Sequence, residues 1–166
     1  MKKKTVRQTM LPLLALLLAG CAVPLPANRS YAEVPLNSAQ HFAVSVYAAG
    51  DWQDSGVTLK SGDRFFLDAQ GTWSGGLGWV SGPSGAVGLD VGRILPEEPA
   101  ATALIGRIGS GAPFSVRDQY FGTAANDGNL FMRMNDPTTF DNSGALSVDI
   151  YVEAAPMGNT GTVNVH

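Results

Sequence analysis

Between residues 145 and 152 the chain alternates strictly: Leu146, Val148, Ile150 and Val152 fall on one side, Ser147, Asp149 and Tyr151 on the other. Successive side chains of an extended backbone point to opposite faces, so this pattern predicts a strand with one face in a core and the other toward water. A helix of the same sequence would scatter the apolar residues around its circumference. Residues 42–47 repeat the pattern, with Phe42, Val44 and Val46 against Ala43, Ser45 and Tyr47. Further strands are predicted over 56–60, 64–70, 101–108, 114–117 and 129–134. Between the runs stand Ser61-Gly62-Asp63, Gly109-Ser110-Gly111, Asn126-Asp127-Gly128 and Asn142-Ser143-Gly144, residues that tolerate tight or left-handed backbone. Glycine crowds residues 75–92 too densely for a regular element, which predicts a long loop of the kind that carries function on a rigid β scaffold. With no helical periodicity beyond the first 20 residues and no internal repeat, the expectation is an all-β domain built as a single β-sandwich.

The first residues read differently. Lys2-Lys3-Lys4 precede an apolar stretch from Met10 to Leu18 and then the small residues Ala19 and Gly20, the layout of a signal peptide. The apolar stretch is shorter than the roughly 20 residues that a membrane-spanning helix needs. Leu18-Ala19-Gly20-Cys21 resembles the lipobox of bacterial lipoproteins. That resemblance implies cleavage before Cys21, a diacylglyceryl group on its thiol, and an envelope protein held to the membrane by lipid. Ala22, by resemblance to the sorting signal of enteric bacteria, implies the outer membrane. Residues 1–20 are therefore expected to be the signal, and 21–37, with Pro24, Pro26 and Pro35, a tether. Residues 38–155 are the expected domain and 156–166 a tail.

Cys21 is the sole cysteine, so no internal disulfide is available and stability has to come from packing. Four of the 11 basic residues, Lys2, Lys3, Lys4 and Arg7, lie in the signal, leaving seven against 14 acidic ones and a charge near −7. Such a balance argues against nucleic acid or anionic lipid as a partner.

Catalysis finds few tools in this inventory. Nucleophilic chemistry needs an activated nucleophile beside a base, and the histidines are His41, at a strand edge, and His166, the last residue. Clustered His or Cys ligands for a transition metal are absent from the sequence. Glu97-Glu98, between Pro96 and Pro99, reads as a solvated loop, and Gly82-Pro83-Ser84-Gly85 lacks the strand and helix of a phosphate loop. No enzyme is expected. The informative segment is Asn135-Asp136-Pro137-Thr138-Thr139-Phe140-Asp141-Asn142-Ser143-Gly144, which crowds oxygen-bearing side chains between two strong strands. Calcium takes about six to eight oxygen ligands, and this loop offers several; the same residues also serve ordinary turns.

At this loop the sequence resembles the bacterial galactophilic lectins of the PA-IL type. The similarity also takes in 61–73, a Gly-Asp strand and Gly-Trp turn, and Ala103-Leu104-Ile105-Gly106-Arg107-Ile108-Gly109. The resemblance implies a calcium-dependent β-sandwich of jelly-roll, galactose-binding-domain-like form. It implies a metal held by Asp136, Asp141, Asn142 and the carbonyls of Thr139 and Gly75, with sugar contacts at Asp136, Thr139 and Asp141. Asp141 stands where the family has asparagine, which adds charge to a cation site, and in this shorter loop Thr138 is the alternative to Thr139. The family's pocket histidine and glutamine fall near Leu89 and Gly92, so galactose specificity does not carry over. Trp73 and Trp79 are either stacking surfaces for a sugar or packing residues. The function expected is an envelope lipoprotein that binds carbohydrate through calcium. The alternative is a structural or protein-binding lipoprotein in which calcium only stiffens a loop.

The lipid reading is directly testable. Cys21→Ser is expected to leave the precursor uncut and unlipidated, checked by mass spectrometry and detergent-phase partition. Normal processing of that variant would exclude lipidation at Cys21.

Overall fold

The protein is described by a computed structural model that covers residues 39–88 and 92–156. Cys21, the tether and the tail from residue 157 lie outside the described residues, as does Leu89. Among the described residues eleven strands follow one another: β1 (Gln40–Tyr47), β2 (Gln53–Leu59), β3 (Arg64–Ser74), β4 (Val80–Ser81), β5 (Ala86–Val87), β6 (Ala100–Ala101), β7 (Leu104–Ile108), β8 (Phe114–Ser115), β9 (Gln119–Thr123), β10 (Gly128–Met134) and β11 (Ser143–Glu153). One sheet runs β1-β11-β3-β4, with β9 also on β3; the other runs β2-β10-β7-β8; β5 and β6 form a short third pair. Every pairing is antiparallel. The domain is an all-β sandwich.

The alternation read from the sequence decides which faces meet. Leu146, Val148, Ile150 and Val152 of β11 lie beside Phe65, Leu67, Ala69 and Trp73 of β3 and Val46 of β1 in one buried cluster. The second sheet closes that cluster with Val57, Leu59, Leu104, Ile108, Leu130, Met132 and Met134. Each such side chain, taken from water into this interior, contributes about 1.5–3 kcal/mol.

Several elements depart from the sequence reading. The run 101–108 is not one strand: Thr102 sits at φ 61, breaking it into β6 and β7. A β-branched residue rarely adopts that conformation, so nothing in its identity announces the break. The glycine-rich loop contains β4 and β5, because its two ends must pair with β3 and β6. β9 was not expected; its core-facing Tyr120 alternates with exposed Gln119 and Phe121, too short a signal to stand out. The predicted strand over 114–117 stops at Ser115, since Arg117 takes φ 57.

Glu98 is a further correction. Instead of being solvated it is 3% exposed, while Glu97 faces water. Its carboxylate accepts from Arg117 Nε at 2.8 Å and Nη2 at 2.6 Å, from the Ala100 N–H at 3.0 Å, and from the Ser115 hydroxyl. This fastens the 94–101 segment to β8 and lines the floor of an open cleft of about 770 Å³ bounded by Ile94, Pro96, Pro99 and Phe114. Burial alone pushes the Glu98 carboxyl up; the hydrogen bonds from Arg117, Ser115 and Ala100, with the Arg117 charge, outweigh it and hold the pKa at about 2 instead of 4.5. The fold thus favours the ionised form, and the stability this contributes is full above pH 4.5 and drains away as pH falls toward about 2. Melting temperature is expected to drop over that interval, and to drop less steeply in Glu98→Gln, which starts lower because it leaves Arg117 without its ionic partner. Parallel thermal melts of the two proteins from pH 6 to pH 2 check this.

Candidate functional site

Strand register brings four distant points of the chain to one end of the sandwich. Ser143 of β11 is paired with Ser74 of β3, so Asn142 and Gly75, the next residue on each chain path, emerge together. Met134 of β10 is paired with Leu104 of β7, and just beyond it the Asn135 N–H donates to the Ala103 carbonyl at 2.7 Å. Loop 135–142 therefore crosses from one sheet to the other over Gly75 and Thr102.

The loop is held from both sides. Asn135 is wholly buried: its Oδ1 accepts from the Leu95 N–H at 2.8 Å and its Nδ2 donates to the carbonyls of Leu95 and Ala100. Arg133, 5% exposed, donates from Nη2 to the Asp136 carbonyl at 2.8 Å and from Nε to the Met134 carbonyl, and its Nη1 meets Asp51. Sequence inspection missed both anchors, since a lone arginine or asparagine at a strand end looks like surface.

Within the loop, Asp136 is 5% exposed. Its Oδ1 accepts from the Thr138 N–H at 2.8 Å, and its Oδ2 lies 3.7 Å from the position a Cβ on Gly75 would take. Asp141 Oδ2 sits so close to Gly76 that a Cβ there would collide with it. Both carboxylates therefore converge on the Gly75-Gly76 backbone. Among the described residues no arginine, lysine or histidine forms a salt bridge with either. Asn142 completes the set. Its Nδ2 is surrounded by acceptors, the Thr138 carbonyl at 2.9 Å, the Ala48 carbonyl at 3.4 Å and Met134 Sδ at 3.5 Å, which fixes the orientation of the amide. Its Oδ1 is thereby turned the other way, buried, with no hydrogen-bond partner. A buried carboxylate without a counter-charge and a buried carbonyl without a donor are each unfavourable in an interior. Of the two threonine carbonyls, that of Thr138 takes the Asn142 amide, whereas that of Thr139 accepts only the Asn142 N–H at 3.3 Å.

No group of three or more His, Cys, Asp or Glu residues able to hold a metal occurs among the described residues. What the loop presents instead is two carboxylates with an amide oxygen and backbone carbonyls, the all-oxygen chemistry that hard cations take and transition metals do not require. His41 lies elsewhere, its Nε2 2.7 Å from Asp149 Oδ1 and its ring stacked on Tyr151.

The rim of this end is apolar. Leu77 is 95% exposed and Phe140 90%, one beside Gly76 and the other beside Asp141. Trp79 is half exposed and available as a surface, but Trp73 is core: it is 2% exposed and donates from Nε1 to the Thr102 carbonyl at 2.9 Å. The turn that displays Leu77 is tight. Trp79 N–H donates to the Gly76 carbonyl at 2.9 Å, with Leu77 at φ 47 and Gly78 at φ 78 between them. Two successive positive φ values define a type I′ turn, which asparagine and glycine adopt readily and leucine does not.

No protein-family model matches the chain, and no curated protein matches it. Eight chains of solved structure do. One is the N-terminal domain of EclA, described as a PllA-like lectin, with 22% identity and a TM-score of 0.58 over 70% of this chain and 99% of that domain. The likeness is one of fold: the two domains share the β-sandwich described above.

Leu77 contributes no packing in exchange for its backbone strain. Leu77→Asn is accordingly expected to raise stability by about 0.5–1 kcal/mol. Urea unfolding of the two proteins checks this, and a loss of stability would mean that Leu77 is held by contacts its exposure does not reveal.

Proposed function

We propose that this chain is an envelope lipoprotein, acylated on Cys21 and sorted to the outer membrane, whose β-sandwich binds carbohydrate through a calcium ion at loop 135–142. The observation that carries the reading is the buried, unpartnered Oδ1 of Asn142 in a loop that also holds two carboxylates with no salt-bridge partner among the described residues. The likeness of the fold to a domain described as a lectin supports it from a separate direction. Asp136, Asp141 and Asn142, with the carbonyls of Gly75 and Thr139, are the residues that would hold the ion. When bound, calcium offers open coordination positions to a pair of vicinal sugar hydroxyls. The chain's own part is to collect and aim these oxygens: Arg133 fixes the Asp136 backbone, and the Thr138 carbonyl fixes the Asn142 amide. Asp136, Asp141 and Thr139 lie on the sugar side in this reading, with Trp79 beside them as a stacking surface. Binding of this kind needs no catalytic acid or base.

An ion that binds the folded protein alone stabilises it, so calcium is expected to raise stability by about 2.7 kcal/mol at a concentration about 100 times its Kd. Asp136→Ala and Asp141→Ala are each expected to abolish the rise in melting temperature. Asp127→Ala is expected to keep it, since Asp127 is engaged with Ser61 and Lys60 in a different turn. Thermal melts with calcium or chelator check the metal, and a glycan array under the same two conditions checks the ligand. Superposed melting curves would remove the calcium reading. A calcium-dependent melt with no glycan bound would favour the structural or protein-binding alternative.

A further inference from the structure

We infer that Thr102 is the positioning residue of the proposed cation site, acting through Gly75; the inference rests on the calcium reading given above. Thr102 is 2% exposed and sits at φ 61, where a β-branched side chain is strained and glycine would be the ordinary choice. Strain of this sort persists where the surroundings over-determine it. Here three contacts do so. The Thr102 carbonyl accepts from Trp73 Nε1, which roots the residue in the core. Its hydroxyl lies 2.8 Å from the Ser81 hydroxyl on β4, the strand that returns from the turn bearing Leu77. Its Cγ2 occupies the place where a side chain on Gly75 would stand. The methyl group thus packs in the side-chain space of the residue whose carbonyl is a proposed ligand, while the carbonyl and hydroxyl clasp the two strands, β3 and β4, that flank it. A glycine at 102 would relax the backbone and leave that space open.

The Gly75 N–H donates to the Trp79 carbonyl at 3.1 Å, so one face of the Gly75 peptide is committed to the turn. What remains adjustable is how closely Gly75 approaches Asp136 Oδ2, and the Thr102 methyl limits that approach. Residues that orient ligands without touching the metal commonly change affinity by about 10–100-fold when altered.

The test is calcium titration by calorimetry on the full-length protein in detergent, with melting temperature in chelator measured alongside. Thr102→Ser removes the methyl and keeps the hydroxyl; Thr102→Val removes the hydroxyl and keeps the methyl. Thr102→Ser is expected to weaken calcium binding about tenfold, and Thr102→Val to stay within about threefold of the parent. A purely structural role would shift both melting temperatures in chelator and leave the two Kd values alike. Equal Kd values for parent and Thr102→Ser would overturn the positioning role with the calcium site intact. No calcium binding by the parent protein would instead overturn the calcium reading and this inference with it.

Discussion

The antiparallel ladder between β3 and β11 governs everything else in the domain. It pairs Arg64 with Glu153 at one end and Ser74 with Ser143 at the other without a break, and β1, β4 and β9 attach to its two sides. A slip of one residue would turn Leu146, Val148, Ile150 and Val152 outward and Ser147, Asp149 and Tyr151 into the core, so the apolar faces lock the register. Once locked, that register leaves no freedom in where the chain exits. Gly75 and Asn142 emerge side by side because Ser74 and Ser143 are partners, and the oxygen cluster exists because of that adjacency.

This explains which parts were legible in the sequence. Period-two alternation is a local signal, and it located β1, β3, β10 and β11, the strands that make the ladder and bring loop 135–142 to its place. The loop that holds Asp136, Asp141 and Asn142 was legible because its oxygen-bearing side chains are nearly consecutive in the chain, whereas the choice of those three within it came through a family resemblance. Gly75 entered through a family resemblance, since nothing local connects it to a loop some sixty residues away. Thr102 gave no sign: its role comes from a backbone angle that its residue type disfavours, set by contacts to Trp73, Ser81 and Gly75 from other strands. Glu98 misled for the same reason. Flanking prolines correctly mark a loop, but whether a loop carboxylate meets water or Arg117 is decided by tertiary contacts.

Two buried carboxylates near the same end of the sandwich, Glu98 and Asp136, are built on different terms. Around Glu98 every oxygen has its donor and the charge is matched, which is how a buried carboxylate serves cohesion alone. Around Asp136 the opposite holds: one buried oxygen, Asn142 Oδ1, lacks a donor, a leucine is forced into a turn made for asparagine, and large apolar side chains stand in water. Local conflict of this kind is commonly found at residues kept for something other than stability.

The pairing of β1 with β11 carries a directional consequence. Gln40 lies opposite Val152 and Tyr47 opposite Ala145, so the polypeptide enters the sandwich at the pole where β11 finishes, while Asp136 and Asn142 crown the pole where β11 starts. Eleven residues of extended chain separate the two poles by roughly 35 Å. The first residue of β1 and the oxygen-rich loop 135–142 therefore stand at opposite poles of the sandwich, with the whole length of the ladder between them.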